Sequence, residues 1–407
     1  MPHYLRIGLV PPRRHVLVED GEGQPLFEEF VGEDGFNGSG SLLYHRGVPS
    51  SIVDARRWDL GDTSLTRNHP LLPRHIRLPD LFPPGAERGV DAVRGRRLVL
   101  GNADVRISYV VADTPSALYS NGIGDEVVFV QSGGAILESV FGRVEVRQGD
   151  SVVVPRVSVH RWIPVDVENS GPLRALCVEG RGHIRPPDRY RSRYGQFLPG
   201  SPVTERDVRG PQEPLVVDAG ECDTEVYVKH RDDSGPVGSV LVYDHHPFDV
   251  VGWDGHVYPY AVNYRDFSPV VGRELMPPPT YQMFQGEGFV VCTFVPRPLE
   301  FGQDALKVPY YHANVDADEV MFYFHGETAA RQGSGIIPGS VSLHPAAFTH
   351  GPRRHAYLTS PGLTQVTELA FMVDAFAPLA LGEAARAAEI STYPWTWAGR
   401  GPVTVAP

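Results

Sequence analysis

Two stretches far apart in this chain repeat one another. ALYSNGIGDEVVFVQSG, Ala117 to Gly133, aligns without a gap on YYHANVDADEVMFYFHG, Tyr310 to Gly326. Asn121 falls on Asn314, Asp125-Glu126-Val127 on Asp318-Glu319-Val320, and Gly133 on Gly326. The echo resumes downstream, where QGDSVVVPRVSVH (Gln148 to His160) matches PGSVSLHPAAFTH (Pro338 to His350) at Gly149/Gly339, Pro155/Pro345 and His160/His350. A strand–turn–strand unit that occurs twice predicts two related β-barrels or jelly rolls in tandem. One position breaks the match: Tyr119 stands where the later copy has His312.

The rest of the chain agrees with an all-β fold. Runs such as VVFVQ, VYVKH, SVLVYD and FVVCTFV are rich in β-branched and aromatic residues, and 43 Gly and 38 Pro punctuate them with turns. A helix is expected only near the C-terminus, over Leu381 to Ile390. Arg185 to Pro214 reads as a proline-rich connector, and Met276 to Thr280 (MPPPT) as turn or extended chain. At 407 residues the chain is long enough for two or three cores. The expected division is an N-terminal β domain over 1–240, containing a degenerate metal-free barrel, and a C-terminal catalytic barrel over 241–407.

A formal net charge of -12 argues against non-specific nucleic-acid binding, which needs a cationic surface. Three widely spaced cysteines, Cys177, Cys222 and Cys292, form no CxxC pair and suggest a reducing compartment. No run approaches the roughly 20 apolar residues of a membrane span, and the first residues lack a leader-like apolar core. A cytoplasmic location with no membrane association is the expectation.

The repeat also carries chemistry. A barrel can bring His312, Glu319 and His350 to one point, and two His with one carboxylate are the facial ligand set of non-haem Fe(II) oxygenases. Tyr119, Glu126 and His160 occupy the same places in the first copy. With one imidazole lost, that copy is expected to bind no metal.

The pattern HxN, four residues, Glu, six residues, Gly is similar to the first cupin motif, and GIIPGSVSLHPAAFTHGP resembles the second. FDVVGWDGHVYPYAVN (Phe248 to Asn263), GFVVCTFVPRP (Gly288 to Pro298), VPYYHANVDADEV and SLHPAAFTHGP together resemble the homogentisate 1,2-dioxygenase family. SLLYHRGVPSSIVDA (Ser41 to Ala55) and GDEVVFVQSGGAILESVFG (Gly124 to Gly142) resemble its N-terminal half, so the likeness covers most of the chain. It implies two cupin-like barrels with a peripheral N-terminal sheet and a short C-terminal helix, and oligomers built on trimers. It further implies an Fe(II) enzyme that opens the ring of a hydroquinone-type aromatic acid with O2, with His312, Glu319 and His350 as iron ligands and His344 touching the substrate.

Two departures from the family pattern stand out. Leu275 and Met276 occupy the place of an expected acid–base histidine, and Thr328 that of an aromatic residue against the ring. Neither Leu nor Met can move a proton. Tyr281, His325, His355 and His256 are candidate replacements, and Arg353 and Arg354 a candidate carboxylate clamp. The expected function is therefore ring cleavage of homogentisate or a related phenol. An iron oxidase or hydroxylase without ring cleavage and a non-catalytic small-molecule-binding cupin are the alternatives.

Overall fold

The computed structural model describes residues 3–217, 222–326 and 329–398. They divide into two compact units, one from Met1–Thr63, Gly85–Arg96 and Ser108–Asp266, the other from Ser64–Pro84, Arg97–Ile107 and Phe267–Pro407. The first unit runs past the 240/241 boundary expected from the sequence, and strand pairing is the reason. Val250–Gly255 pairs with Gly40–His45, and Tyr260–Asn263 with Asp150–Val154, so both belong with N-terminal partners.

In the first unit, one sheet carries Tyr260–Asn263, Asp150–Val154, Glu126–Ser132, Leu173–Gly180 and residues 108–112 in that order. A second carries Gly142–Arg147, Gly134–Ser139, His160–Val165, Leu118–Asn121, Thr224–Asp232, Gly235–Tyr243 and Ile52–Trp58. Alternate residues of both sheets meet in one core: Val128, Val130, Val152 and Cys177 from the first, and Leu137, Val144 and Trp162 from the second. This is what period-2 alternation produces when two sheets face each other. A peripheral sheet contains Leu5–Gly8, Val250–Gly255, Gly40–His45, Pro25–Gly32 and Val18–Glu19.

The second unit is built on a six-stranded sheet in the order Gln282–Gly286, Phe289–Phe294, Leu369–Ala375, Asp318–His325, Ser340–His344 and Arg74–Arg77. The connector 185–214 contains short 3-10 turns at Asp188–Tyr190 and Glu205–Asp207 and isolated bridges such as Arg191 with Phe197. The C-terminal helix is shorter than expected, Glu383–Ala387, because Leu381 is taken by a strand and the Ile390 amide donates to the His75 carbonyl. A short helix at Arg354–Thr359 was not legible in GPRRH.

The repeat is a repeat of backbone. His160 pairs with Tyr119 in the first unit as His350 pairs with His312 in the second. Asp125 accepts the amides of Arg156 and Ile184 at 2.7 and 2.8 Å; Asp318 accepts those of Ala346 and Leu379, both at 2.8 Å. The Val157 amide donates to Asn121 O and the Ala347 amide to Asn314 O, with φ of 61° and 67°, left-handed in both copies. Gly133 and Gly326 turn at φ of 73° and 85°, where a Cβ would lie 2.6 Å from Pro172 O and 2.5 Å from Thr367 O. Only glycine fits both the conformation and the space.

Candidate metal centre and its cavity

His312 and His350 face each other across an isolated antiparallel bridge, with amide–carbonyl hydrogen bonds of 2.9 and 2.8 Å and ring centroids 4.2 Å apart. Glu319, at the start of the Asp318–His325 strand, points at the same spot. Its carboxylate lies 3.5 Å from His312 Nε2 and 3.3 Å from His350 Nε2. One ligand atom from each residue falls within 4.8 Å of the others. Backbone carbonyls occupy the far nitrogens, Tyr310 O at 3.0 Å from His312 Nδ1 and Phe348 O at 3.2 Å from His350 Nδ1. That fixes the tautomer with the Nε2 lone pairs turned inward, as metal-bound imidazoles require. His350 Nε2 is buried and has no hydrogen-bond partner. A buried acceptor left open beside an imidazole and a carboxylate is a donor set that fits a divalent cation of the Fe, Mn or Zn kind.

The surroundings hold Glu319 in its charged form. Burial works against the charge, but the His312, His344 and His350 imidazoles around it hold the carboxyl well below its usual range. The Glu319 carboxylate beside it in turn raises His312. Asn314 adds a longer contact to Glu319 at 3.4 Å.

His344 lies where the sequence expects it. Its Nδ1 is 2.9 Å from Glu319 and its Nε2 is 2.9 Å from the Tyr393 hydroxyl, and burial pushes it down to about 4. Tyr393 is itself fully buried, and the Arg331 guanidinium lies over the Tyr393 and Trp397 rings at 4.9 and 3.5 Å.

A cavity of about 450 Å³ opens from these donors, and Leu275, Met276, Tyr281 and Phe294 form part of its wall. Tyr281 presents its ring while its hydroxyl donates to Val270 O at 3.0 Å. His325 sits past a strand irregularity between Tyr323 and His325, packs on Phe324 and is not part of the wall; strand parity alone would have turned it inward. His355 is exposed on the Arg354–Thr359 helix, and His256 packs on Tyr4 in the first unit. Arg353 bonds Gln332 O and Arg354 is exposed, so neither lines the cavity. Thr328 lies outside the described residues.

Sequence reasoning missed several cavity groups. Asp374 stands opposite Glu319 in register; burial and the Glu319 charge push it up to about 7, and its Oδ1 is buried without a hydrogen-bond partner. Glu368, Arg297, Arg331 and Lys307 also line the cavity. No local motif marks them, because long-range strand pairing brings them to the wall.

The first unit shows what the same frame does without the second histidine. Tyr119 donates to Glu126 at 3.0 Å, Asn121 donates to the same oxygen at 2.8 Å, and the Arg96 guanidinium lies 2.9 Å from the other carboxylate oxygen. Burial opposes the Glu126 charge, and Arg96 beside it keeps the carboxyl well below its usual range. Arg96 and Glu126 are 8% and 1% exposed. A guanidinium therefore supplies the positive charge beside this carboxylate.

A profile described as the C-terminal domain of homogentisate 1,2-dioxygenase matches residues 267–400. The "Putative dioxygenase SSO1533" of Saccharolobus solfataricus is 33% identical over 408 residues, spanning 98% of this chain and 99% of that one. The chain belongs to the homogentisate 1,2-dioxygenase family. Members named homogentisate 1,2-dioxygenase are more distant: that of Rhodopseudomonas palustris is 26% identical over 380 residues, covering 88% of this chain and 80% of its own. A cupin 2 conserved barrel protein from Leptotrichia buccalis aligns over 75% of this chain and 97% of its own, at 9% identity and a TM-score of 0.31. Membership gives the cupin fold and the dioxygenase class; the cavity must say which member this is.

Proposed function

We propose that this protein is an Fe(II)-dependent dioxygenase that opens the ring of a hydroquinone-type aromatic other than homogentisate. The observation that carries this reading is two inward Nε2 atoms and one carboxylate converging at the end of a largely apolar cavity. Fe(II) held by His312, Glu319 and His350 would supply Lewis acidity, a one-electron couple and open positions for O2 and a ring oxygen.

The chain's own residues orient and desolvate the substrate. His344, gripped between Glu319 and Tyr393, fixes the carboxylate and offers its ring edge to the cavity. Leu275 and Met276 exclude water on the side where the family pattern has a histidine. With that histidine gone, the open Oδ1 of Asp374 is the acceptor nearest in register to Glu319 for a ring hydroxyl hydrogen. Because the ligand set is retained while the substrate wall has changed, we assign a phenol other than homogentisate. We also propose a homo-oligomer in a reducing compartment such as the cytoplasm. The exposed edge strand Ile52–Trp58 and the lack of a disulfide at Cys177, Cys222 and Cys292 support this.

Oxygen uptake by the Fe(II)-loaded protein, measured with homogentisate, gentisate and substituted hydroquinones, tests the assignment. Uptake coupled to a ring-opened product from a hydroquinone other than homogentisate is expected. Rapid cleavage of homogentisate would return the chain to the family's namesake activity. Uptake with the ring intact would make it an oxidase or hydroxylase, and one bound metal with no uptake would make it a binding protein.

A further inference from the structure

The cavity runs along one face of the six-stranded sheet, away from the metal donors. In register, Glu319 stands opposite Asp374, Met321 opposite Met372, and Tyr323 opposite Ala370. Glu319, Met321, Tyr323, Asp374 and Met372 all line the cavity, as a period of two demands. The same face continues beyond Ala370 to Glu368, which also lines it. Asp374 and Glu368 are six positions apart (374 − 368 = 6). At about 3.3 Å per residue, roughly 20 Å of chain separates the donor end from the Glu368 end. A dihydroxylated ring with a two-carbon arm is under about 10 Å long, given bonds of about 1.5 Å, and leaves that far end unfilled.

The far end is charged and its carboxyl is open. Among the described residues, the Glu368 carboxylate makes no hydrogen bond or ion pair. Its neighbour Arg297, paired with Val366 two residues before it, is already engaged: Nη1 donates to Val295 O at 3.1 Å and the guanidinium lies 4.7 Å over the Tyr281 ring. Burial pushes Glu368 up to about 7 while Arg297 pulls it back. A half-buried carboxylate without a donor is costly to keep, and a cation that reaches it removes that cost. Between the two ends, Met321, Met372 and Phe294 give an apolar and adaptable middle.

We infer that Glu368 is a specificity-determining residue that selects aromatic substrates carrying a long arm, apolar along its length and ending in a protonated amine. The inference rests on the proposed function only for what sits at the metal end.

The test is anaerobic calorimetry of the Fe(II)-loaded protein with hydroquinones bearing ω-aminoalkyl arms of increasing length, matched by methyl- and carboxylate-terminated arms. Affinity for the amine series passes through an optimum length. There the amine binds about tenfold or more tighter than its methyl match, the range of a hydrogen bond to a charged group. Glu368→Gln abolishes the preference, and Glu368→Asp moves the optimum to a longer arm. Length-independent binding, a preference that survives Glu368→Gln, or tightest binding by the carboxylate series with loss in Arg297→Gln would overturn the inference. Oxygen uptake with the same compounds separates the two readings. An amine preference without any uptake sinks ring cleavage and leaves the selection standing; uptake with short arms and flat binding sinks the selection alone.

Discussion

Tyr119 and His312 occupy one position of one frame, and each has the partner its chemistry needs. The imidazole leaves a lone pair open toward Glu319, whereas the phenol donates to Glu126 and needs no metal. The charge on Glu126 is compensated by Arg96, so Arg96→Met strands a buried carboxylate. That should cost about 3 kcal/mol in urea unfolding, in the range for breaking a buried ion pair. Tyr119→Phe removes one hydrogen bond, costs about 1 kcal/mol and leaves metal content unchanged. His312→Ala, by contrast, should leave the purified protein without bound iron at near wild-type stability, since His312 is only half-buried. Equal metal content in the two variants would show that the site lies elsewhere. Asp374→Asn keeps the shape of the cavity wall but weakens its acceptor; turnover should fall by about a hundredfold with metal content unchanged.

Among the elements, the turn that leads into His160 and His350 is under strain in both copies. Val157 and Ala347 both adopt a left-handed backbone that a side chain disfavours, most of all a β-branched one. Val157 is 52% exposed and gives up little packing, so Val157→Gly should raise stability by about 1 kcal/mol, read as a higher urea midpoint. An unchanged or lower midpoint would mean the turn relaxes around its side chain. This level also explains what could be read in advance. His312, Glu319, His350 and His344 were legible because each lies in a short motif that recurs with fixed spacing. Asp374, Glu368, Arg297 and Arg96 were not, because they reach their sites through strand register or from distant segments. His325 was misplaced by parity for the same reason: an irregularity after Tyr323 interrupts the alternation, and sequence does not announce it. The C-terminal helix was overextended because its helix-forming residues are outbid by pairing at Leu381 and by the His75 carbonyl at Ile390.

For the molecule as a whole, the repeat gives two units with one frame, closed by a guanidinium in the first and carrying the candidate metal triad in the second. The peripheral sheet of the first unit carries its own titrating link. His45 is buried, which disfavours its charge, but hydrogen bonds to Asp249 at 2.7 Å and Glu29 at 3.0 Å raise it to about 9. A folded pKa above the ordinary value of about 6.5 gives stability that is full below that pH and is lost as pH rises through about 9. The urea midpoint should therefore fall between about pH 6.5 and pH 9, and His45→Gln should flatten that fall; an equal slope in the variant would place the titration elsewhere. No helix among the described residues is long and apolar enough to cross a membrane. The central claim, a single metal site made by the second copy of the repeat, is tested most directly by anomalous diffraction at the iron edge from Fe(II)-loaded crystals. One peak among His312, Glu319 and His350, with none beside Glu126, is the predicted result. An empty triad, or a peak at Glu126 in place of the Arg96 guanidinium, would contradict it.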